Sequence, residues 1–276
     1  MKRLVLILTI VAISALFISG TALAGFERSL HNNLDIETPT LHNLELGFIG
    51  DFASGQEYGL DNNIDVSIID LYAKYGFTDD LEFGIDVPYK EWNTDKNISF
   101  PDLTSSDGED GISDMNIWAK YRFVKEADKK FGAAAGVNIK LKNGDENKGL
   151  GTGKYDVMPF VIATYKFQEP LLFGARIGYN IVGEPDDVKW DNELYYSFWT
   201  RYTFSDQLGI VGEVNGNSMR AGNLTGNRSD AVEVDGGVTY GVTPNVGLVA
   251  GAGIGLTDNA PDWRFFVSLK TEFVAQ

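Results

Sequence analysis

The chain contains no cysteine and only two histidines, His31 and His42. The first absence removes disulfides and thiolate chemistry, so an exported fold of this length must hold by backbone pairing and packing. The second leaves little for acid–base work. Both histidines precede or open the first regular segment, so no Ser–His arrangement can assemble among the later segments or their loops. Basic residues are scarce as well: 23 Lys and Arg stand against 39 Asp and Glu, a net charge of -16. That balance disfavours nucleic acid and other polyanionic partners. Beyond residue 24, nothing approaches the roughly 20 consecutive apolar residues of a membrane-crossing helix.

The chain begins with two positive charges, Lys2 and Arg3, an apolar run from Leu4 to Ile18 and the small-residue pattern Ala22-Leu23-Ala24. This is the layout of a secretory signal peptide over 1–24, cut between Ala24 and Gly25. The new terminus would be Gly25 rather than Cys, which argues against a lipid-anchored lipoprotein. Composition marks no linker in the remainder.

From Leu41 onward, apolar and polar side chains alternate in segments of about ten residues, the period of strands with two unlike faces. Leu81, Phe83, Ile85, Val87 and Tyr89 face one way, while Glu82, Gly84, Asp86 and Lys90 face the other. Strands are expected near 41–53, 64–77, 81–91, 112–123, 131–142, 154–167, 171–182, 191–204, 208–217, 230–242, 246–256 and 263–273. Ile68 and Ile69 break the alternation of the second, so its outer half is expected to be bulged or to lie above the membrane. Connections alternate between tight (78–80, 168–170, 205–207, 243–245) and long (92–111, 143–153, 183–190, 218–229). Short turns on one side and long loops on the other define an outer-membrane barrel with the short turns periplasmic. An aromatic signature recurs before the short turns: Tyr75-Gly76-Phe77, Tyr121-Arg122-Phe123, Tyr165-Lys166-Phe167, Tyr202-Thr203-Phe204 and, weakened, Tyr240-Gly241-Val242. Such a level suits the interfacial girdle.

The fold class expected is therefore all-β: a transmembrane antiparallel up-and-down β-barrel of about twelve strands over 41–276, with 25–40 as a periplasmic N-terminal segment or plug. A soluble β-sandwich or lipocalin-like barrel shows the same alternation but keeps its apolar face inside. Pattern alone does not say which face is inner; the leader, the aromatic level and the loop lengths favour lipid outside.

In that register the charged face lines a lumen. Its candidate lining residues are Lys74, Glu82, Asp86, Asp114, Trp118, Lys120, Arg122, Lys140, Arg176, Glu193, Trp199, Arg201, Glu213, Glu233, Asp235 and Arg264, with Phe160 and Phe266 also pointing inward. Aligning Phe123 with Phe131 sets Asp114 opposite Lys140, and aligning Phe77 with Leu81 brings Lys74 within diagonal reach of Glu82 and Asp86. Gly247, Gly251, Gly253 and Gly255 remove volume opposite Glu233 and Asp235, which predicts a groove. Charge ladders that merely stiffen the wall are the competing reading of these pairs.

Two further motifs carry little. The carboxylates of loop 102–110 match no established calcium loop and read as a solvated acidic loop, so no metal site is expected. Gly149-Leu150-Gly151-Thr152-Gly153-Lys154 has the glycines of a phosphate loop, but neither the following Ser or Thr nor a helix, and reads as a flexible hairpin tip.

Several stretches resemble the outer-membrane transporters named after the MetA pathway of phenol degradation: Tyr75-Gly76-Phe77-Thr78-Asp79-Asp80-Leu81-Glu82-Phe83-Gly84 to Val87-Pro88-Tyr89; Gly111-Ile112-Ser113-Asp114 with Trp118-Ala119-Lys120-Tyr121-Arg122-Phe123; Asn192-Glu193; and Tyr240-Gly241-Val242-Thr243-Pro244-Asn245 to Gly251-Ala252-Gly253-Ile254-Gly255-Leu256. Where that family often has a Pro-Thr-Gly turn, this chain reads Leu141-Lys142-Asn143-Gly144. The resemblance implies a barrel that moves small solutes, aromatic or hydrophobic ones included, with no catalytic residue and no cofactor. The expected partners are outer-membrane lipids and a small-molecule solute. A non-conducting structural or adhesion barrel is the alternative, and its mark would be a lumen filled by paired side chains or by 25–40.

Overall fold

The computed structural model describes residues 36–57, 63–94, 108–126, 130–184, 190–218 and 230–273. The signal peptide expected at 1–24 with its cut at Ala24 and Gly25, residues 25–35 including His31, and the acidic stretch 102–107 lie outside the described residues.

Thirteen strands occur among the described residues: β1 (Leu44–Glu57), β2 (Asn63–Gly76), β3 (Leu81–Thr94), β4 (Glu109–Ile112), β5 (Asn116–Val124), β6 (Phe131–Lys140), β7 (Asp156–Gln168), β8 (Leu171–Asn180), β9 (Glu193–Thr203), β10 (Leu208–Asn217), β11 (Ala231–Thr243), β12 (Val246–Gly255) and β13 (Trp263–Phe273). Each pairs antiparallel with its neighbours, and β1 pairs with β13 from Leu44 opposite Phe273 to Ser54 opposite Trp263, so the sheet closes on itself. β4 and β5 both lie along β3, with the register stepping by one residue across Ser113-Asp114-Met115. They are two halves of one stave, and the wall has the twelve staves that the alternation predicts.

The bulge expected at Ile68 and Ile69 is elsewhere. β2 pairs with β3 without interruption, Ile68 facing Lys90 and Ile69 facing Tyr89 across the ladder. The irregularity falls on β1, between Ala53 and Gln56. Ile68 turns into the barrel interior, so the doubled isoleucine marks a locally apolar lumen face rather than a kink.

Burial is inverted relative to a soluble protein. Leu71, Phe83, Val161, Ile177, Phe198, Val238, Ile254 and Phe265 are among the large apolar side chains exposed on the outer wall, while Lys74, Glu82, Lys120, Arg176, Glu213 and Asp235 are buried inside. Exposed apolar surface of this extent marks contact with a partner or a membrane, and closed barrels span bilayers because pairing satisfies every backbone group. Tyr75, Phe77, Tyr121, Phe123, Tyr165, Phe167, Tyr202, Phe204 and Tyr240 all stand exposed beside the short turns, as a girdle requires.

The interior is organised by glycine. Five inward aromatic side chains each lie directly across the ladder from a lumen-facing glycine: Tyr72 from Gly47, Trp118 from Gly84, Phe160 from Gly136, Trp199 from Gly174 and Phe266 from Gly251. A Cβ on any of these glycines would collide with the ring opposite. The rings therefore fold down over their partner strands and form, with Ile49, Ile162, Val211 and Val249, one buried apolar collar. Gly174→Ala, which forces Trp199 off its seat, is expected to cost about 1–3 kcal/mol of overpacking in urea unfolding of the refolded protein. Gly236→Ala, at an outward glycine with open space around it, is expected to stay within about 0.5 kcal/mol of the parent.

Candidate functional site

The lumen carries charge in two bands with the collar between them. In the periplasmic band, Lys74 Nζ lies 3.0 Å from Glu45 Oε1, with Lys270 Nζ 3.9 Å from Glu45 Oε2, and Tyr72 donates its hydroxyl to the same carboxylate at 3.2 Å. Lys120 Nζ is 3.1 Å from Glu82 Oε2, and both side chains are 0% exposed. The Trp118 indole donates to Glu82 Oε1 at 3.0 Å. Two residues further along β5, Arg122 binds Glu37 at 3.0 Å and Asp80 at 3.2 Å. Trp118 thus belongs to both layers: its ring to the collar, its N–H to the charges.

In the extracellular band, the Arg264 guanidinium grips Glu233 with two parallel bonds of 2.8 and 2.9 Å and reaches Asp51 at 2.7 Å. This fork geometry is the strong form of a carboxylate contact. Asp235 accepts from Asn215 at 2.5 Å, Glu193 accepts from Asn180 at 2.9 Å, and Ser197 donates to Glu213. The Arg176 guanidinium stacks 4.5 Å from the centre of the Tyr195 ring. Arg201 belongs to the periplasmic side instead: it is buried on β9 between Leu172 and Val211, two residues nearer the short turn than Trp199. Asp86 accepts from the Asn116 backbone at 2.9 Å and its amide at 3.0 Å, and Asn116 in turn accepts from Asn138 at 3.0 Å.

Asp114 interrupts its own stave because it clamps a loop. Its carboxylate accepts from Gly144 N at 2.9 Å and Thr152 N at 3.0 Å, and Lys140 Nζ sits 3.0 Å away. The loop it holds is not the flexible tip that its glycines suggest. Glu146–Lys148 forms a short 3-10 turn that closes on Gly149 in the left-handed region at φ 65°, where glycine is free of strain. Leu150 then drops onto Ile64 and Trp92 in a second buried apolar cluster. Trp92 and Lys90 secure the turn by donating to the carbonyls of Lys148 at 2.9 Å and Gly149 at 3.1 Å. Residues 144–152 therefore fold inward across the extracellular mouth.

At the opposite mouth the chain before β1 also enters the barrel. Ile36 is 1% exposed and belongs to the same apolar cluster as the collar residues. The Glu37 carbonyl accepts from Lys120 Nζ at 2.6 Å.

The predicted lining residues thus face inward, but some pairings differ. Lys140 and Asp114 form their ion pair although Lys140 stands opposite Asn116 in the ladder: β5 and β6 first meet at Val124 and Ala133, so the register lies two residues from the one that aligns Phe123 with Phe131. Lys74 stands opposite Gly84, between Glu82 and Asp86, as expected; it also pairs with Glu45 on the other neighbouring strand, and Glu82 pairs with Lys120. The groove expected along β12 is absent: the spaces above Gly251, Gly253 and Gly255 are filled by Phe266, Asp235 and Ala260 with Pro261. Sequence reading held Ile36 and Glu37 only as part of a segment, 25–40, able to plug the lumen, and missed Leu150, which lies outside any alternating segment.

A closed, twelve-staved barrel with apolar exterior and charged interior is an outer-membrane protein of the Gram-negative type. Residues 45–270 match the family model for the MetA-pathway of phenol degradation, and the chain belongs to that family. Among solved structures it is similar to the COG4313 outer membrane channel from Pseudomonas putida F1, at 14% identity over 88% of this chain and 99% of that one, with a TM-score of 0.72. The NanC porin follows at 14% identity, 82% and 98% coverage and a TM-score of 0.56. The KdgM porin in complex with disordered oligogalacturonate gives 10% identity, 83% and 99% coverage and a TM-score of 0.50.

Proposed function

We propose that this protein is an outer-membrane channel for small solutes, aromatic and hydrophobic ones included, whose lumen is closed at rest, and that it performs no catalysis. The observation that carries the reading is the sequence of layers: a charged band, an apolar collar rich in aromatic rings, and a second charged band. Paired charges admit polar groups without fixing an ion, and the collar favours molecules able to shed water. That the similar barrels include an outer membrane channel and a porin supports the same reading. Residues 36–40 act as a periplasmic stopper through Ile36 and Glu37.

A non-conducting structural barrel is the second reading, favoured by the complete burial of Lys120, Glu82 and Arg176. Single-channel recording in planar bilayers separates the two. The refolded parent is expected to show brief openings, and Arg122→Gln, which loses the Glu37 contact, openings at least several-fold longer. Silence from both, with the barrel shown to be folded, would support the structural reading and overturn the channel.

A further inference from the structure

Above the collar the lumen is open to solvent. Asp51, Ile68, Asp70, Pro88, Asn116 and Asn138 face inward and are only half-buried, whereas the collar beneath them is closed. Residues 144–152 roof this chamber on the side of β2 and β3, where Leu150 packs on Ile64 and Trp92.

The chamber is short of positive charge. Arg264 carries both Glu233 and Asp51, and Lys140 carries both Asp114 and Asp156, at 3.0 and 3.4 Å. Among the described residues, the other inward cations of this half, Lys90 and Arg176, stand against Asp70, Asp86, Glu193, Glu213 and Asp235. Whatever the pairing, carboxylates outnumber cations. A walled cleft dominated by one sign of charge concentrates the opposite sign from solution.

At one place the excess meets apolar surface. Asp70 lies opposite Ile49 on β1 and Pro88 on β3, with Ile68 and Tyr72 two residues to either side on the same face of β2. Asp86, opposite Tyr72, is its diagonal neighbour, and adjacent carboxylates repel each other. Asp70 Oδ1 is closed to solvent, and no described residue donates to it. A shielded carboxylate oxygen without a donor is costly. A positively charged N–H relieves both the repulsion and the missing bond, and the carbon around it suits an apolar body. A divalent metal ion fits less well: it takes about six or more oxygen ligands, and the side chains of Ile49, Ile68 and Pro88 offer none.

We infer that this chamber is a binding site for small organic cations, with a protonated amine on Asp70 beside Asp86 and the carbon body on Ile49, Ile68 and Pro88. The inference rests on the channel reading above and adds to it a class of solute and a place for it.

Benzylammonium, benzyl alcohol and benzoate share a ring and differ in charge. Isothermal titration calorimetry of each into the full chain, refolded in detergent micelles, is the test. Benzylammonium is expected to bind at least about tenfold more tightly than benzyl alcohol, with benzoate the weakest of the three. Asp70→Asn keeps the shape of the side chain and removes a like-charge repulsion, so the barrel folds; it should weaken benzylammonium binding at least about tenfold. Asp206→Asn, the same change in the exposed turn 205–207, should leave that binding as it is. Equal affinity for the ammonium and the alcohol would overturn the cation class. Benzylammonium binding that survives Asp70→Asn would overturn the place, and no binding of benzylammonium would overturn both. Calorimetry does not depend on conduction, so silent bilayers with charge-selective binding would reject the channel and keep the site.

Discussion

Glu82→Ala is expected to lower the stability of the folded barrel by about 3–5 kcal/mol, the cost of stranding a buried charge. Glu82 and Lys120 face each other at 3.1 Å with no exposed surface on either. Removing the carboxylate takes away the opposite charge nearest the ammonium, whose bond to the Glu37 carbonyl at 2.6 Å stays, and orphans the Trp118 N–H. A backbone carbonyl carries only a dipole and does not neutralise the charge. The paired change Glu82→Leu with Lys120→Met removes both ions and is expected to recover most of the loss, since a well-packed apolar pair is often as stable as a buried ion pair. Urea unfolding in lipid vesicles reads both. A single-variant loss under about 1 kcal/mol, the range of solvated pairs, would mean that water reaches this level and that the lumen is open there.

The second large effect lies on the other face of the wall. Val161 stands outward at the middle of β7 and is exposed, while Phe167 stands outward beside the short turn that follows it. Val161→Arg is expected to cost about 2–4 kcal/mol and Phe167→Arg no more than about 1, because an arginine near the interface reaches the headgroups and one at mid-depth does not. Refolding into vesicles followed by denaturant titration gives both values. Equal, small losses would be the signature of a barrel standing in water, so the pair of variants decides which solvent surrounds the wall.

The wall was legible in the sequence because period-2 alternation is a local property. Leu81 to Tyr89 announces a two-faced strand without reference to any other residue. The lumen was legible as a set of inward positions, and less so as a set of partners. Lys74 has Glu45 on one neighbouring strand and Glu82 two residues along on the other, and alternation is silent on which it takes. The structure pairs Lys74 with Glu45 and brings Lys120 to Glu82 from the far side. Asp114 shows the same limit: its pairing with Lys140 followed from charge, but the break in its stave came from loop amides at Gly144 and Thr152 that no strand pattern contains. Ile36 and Leu150 were hidden for a simpler reason. Each is a single apolar residue in an aperiodic stretch, buried only because the barrel offers a hollow.

The glycines beneath the rings bear on how the barrel assembles. Slipping one strand past another by a single residue turns its charges toward lipid and is rejected outright. A slip of two preserves parity, keeping every apolar residue outside, and hydrophobicity alone barely opposes it. It would, however, move Trp199 from Gly174 onto Leu172 or Arg176, and Trp118 from Gly84 onto Glu82 or Asp86, the inward neighbours two places along. Five hairpins carry such a ring and gap on separate strands. Correct zippering is therefore tested against steric fit five times around the circumference, which gives a nascent barrel in a fluid membrane a means of telling the right pairing from its even-numbered decoys.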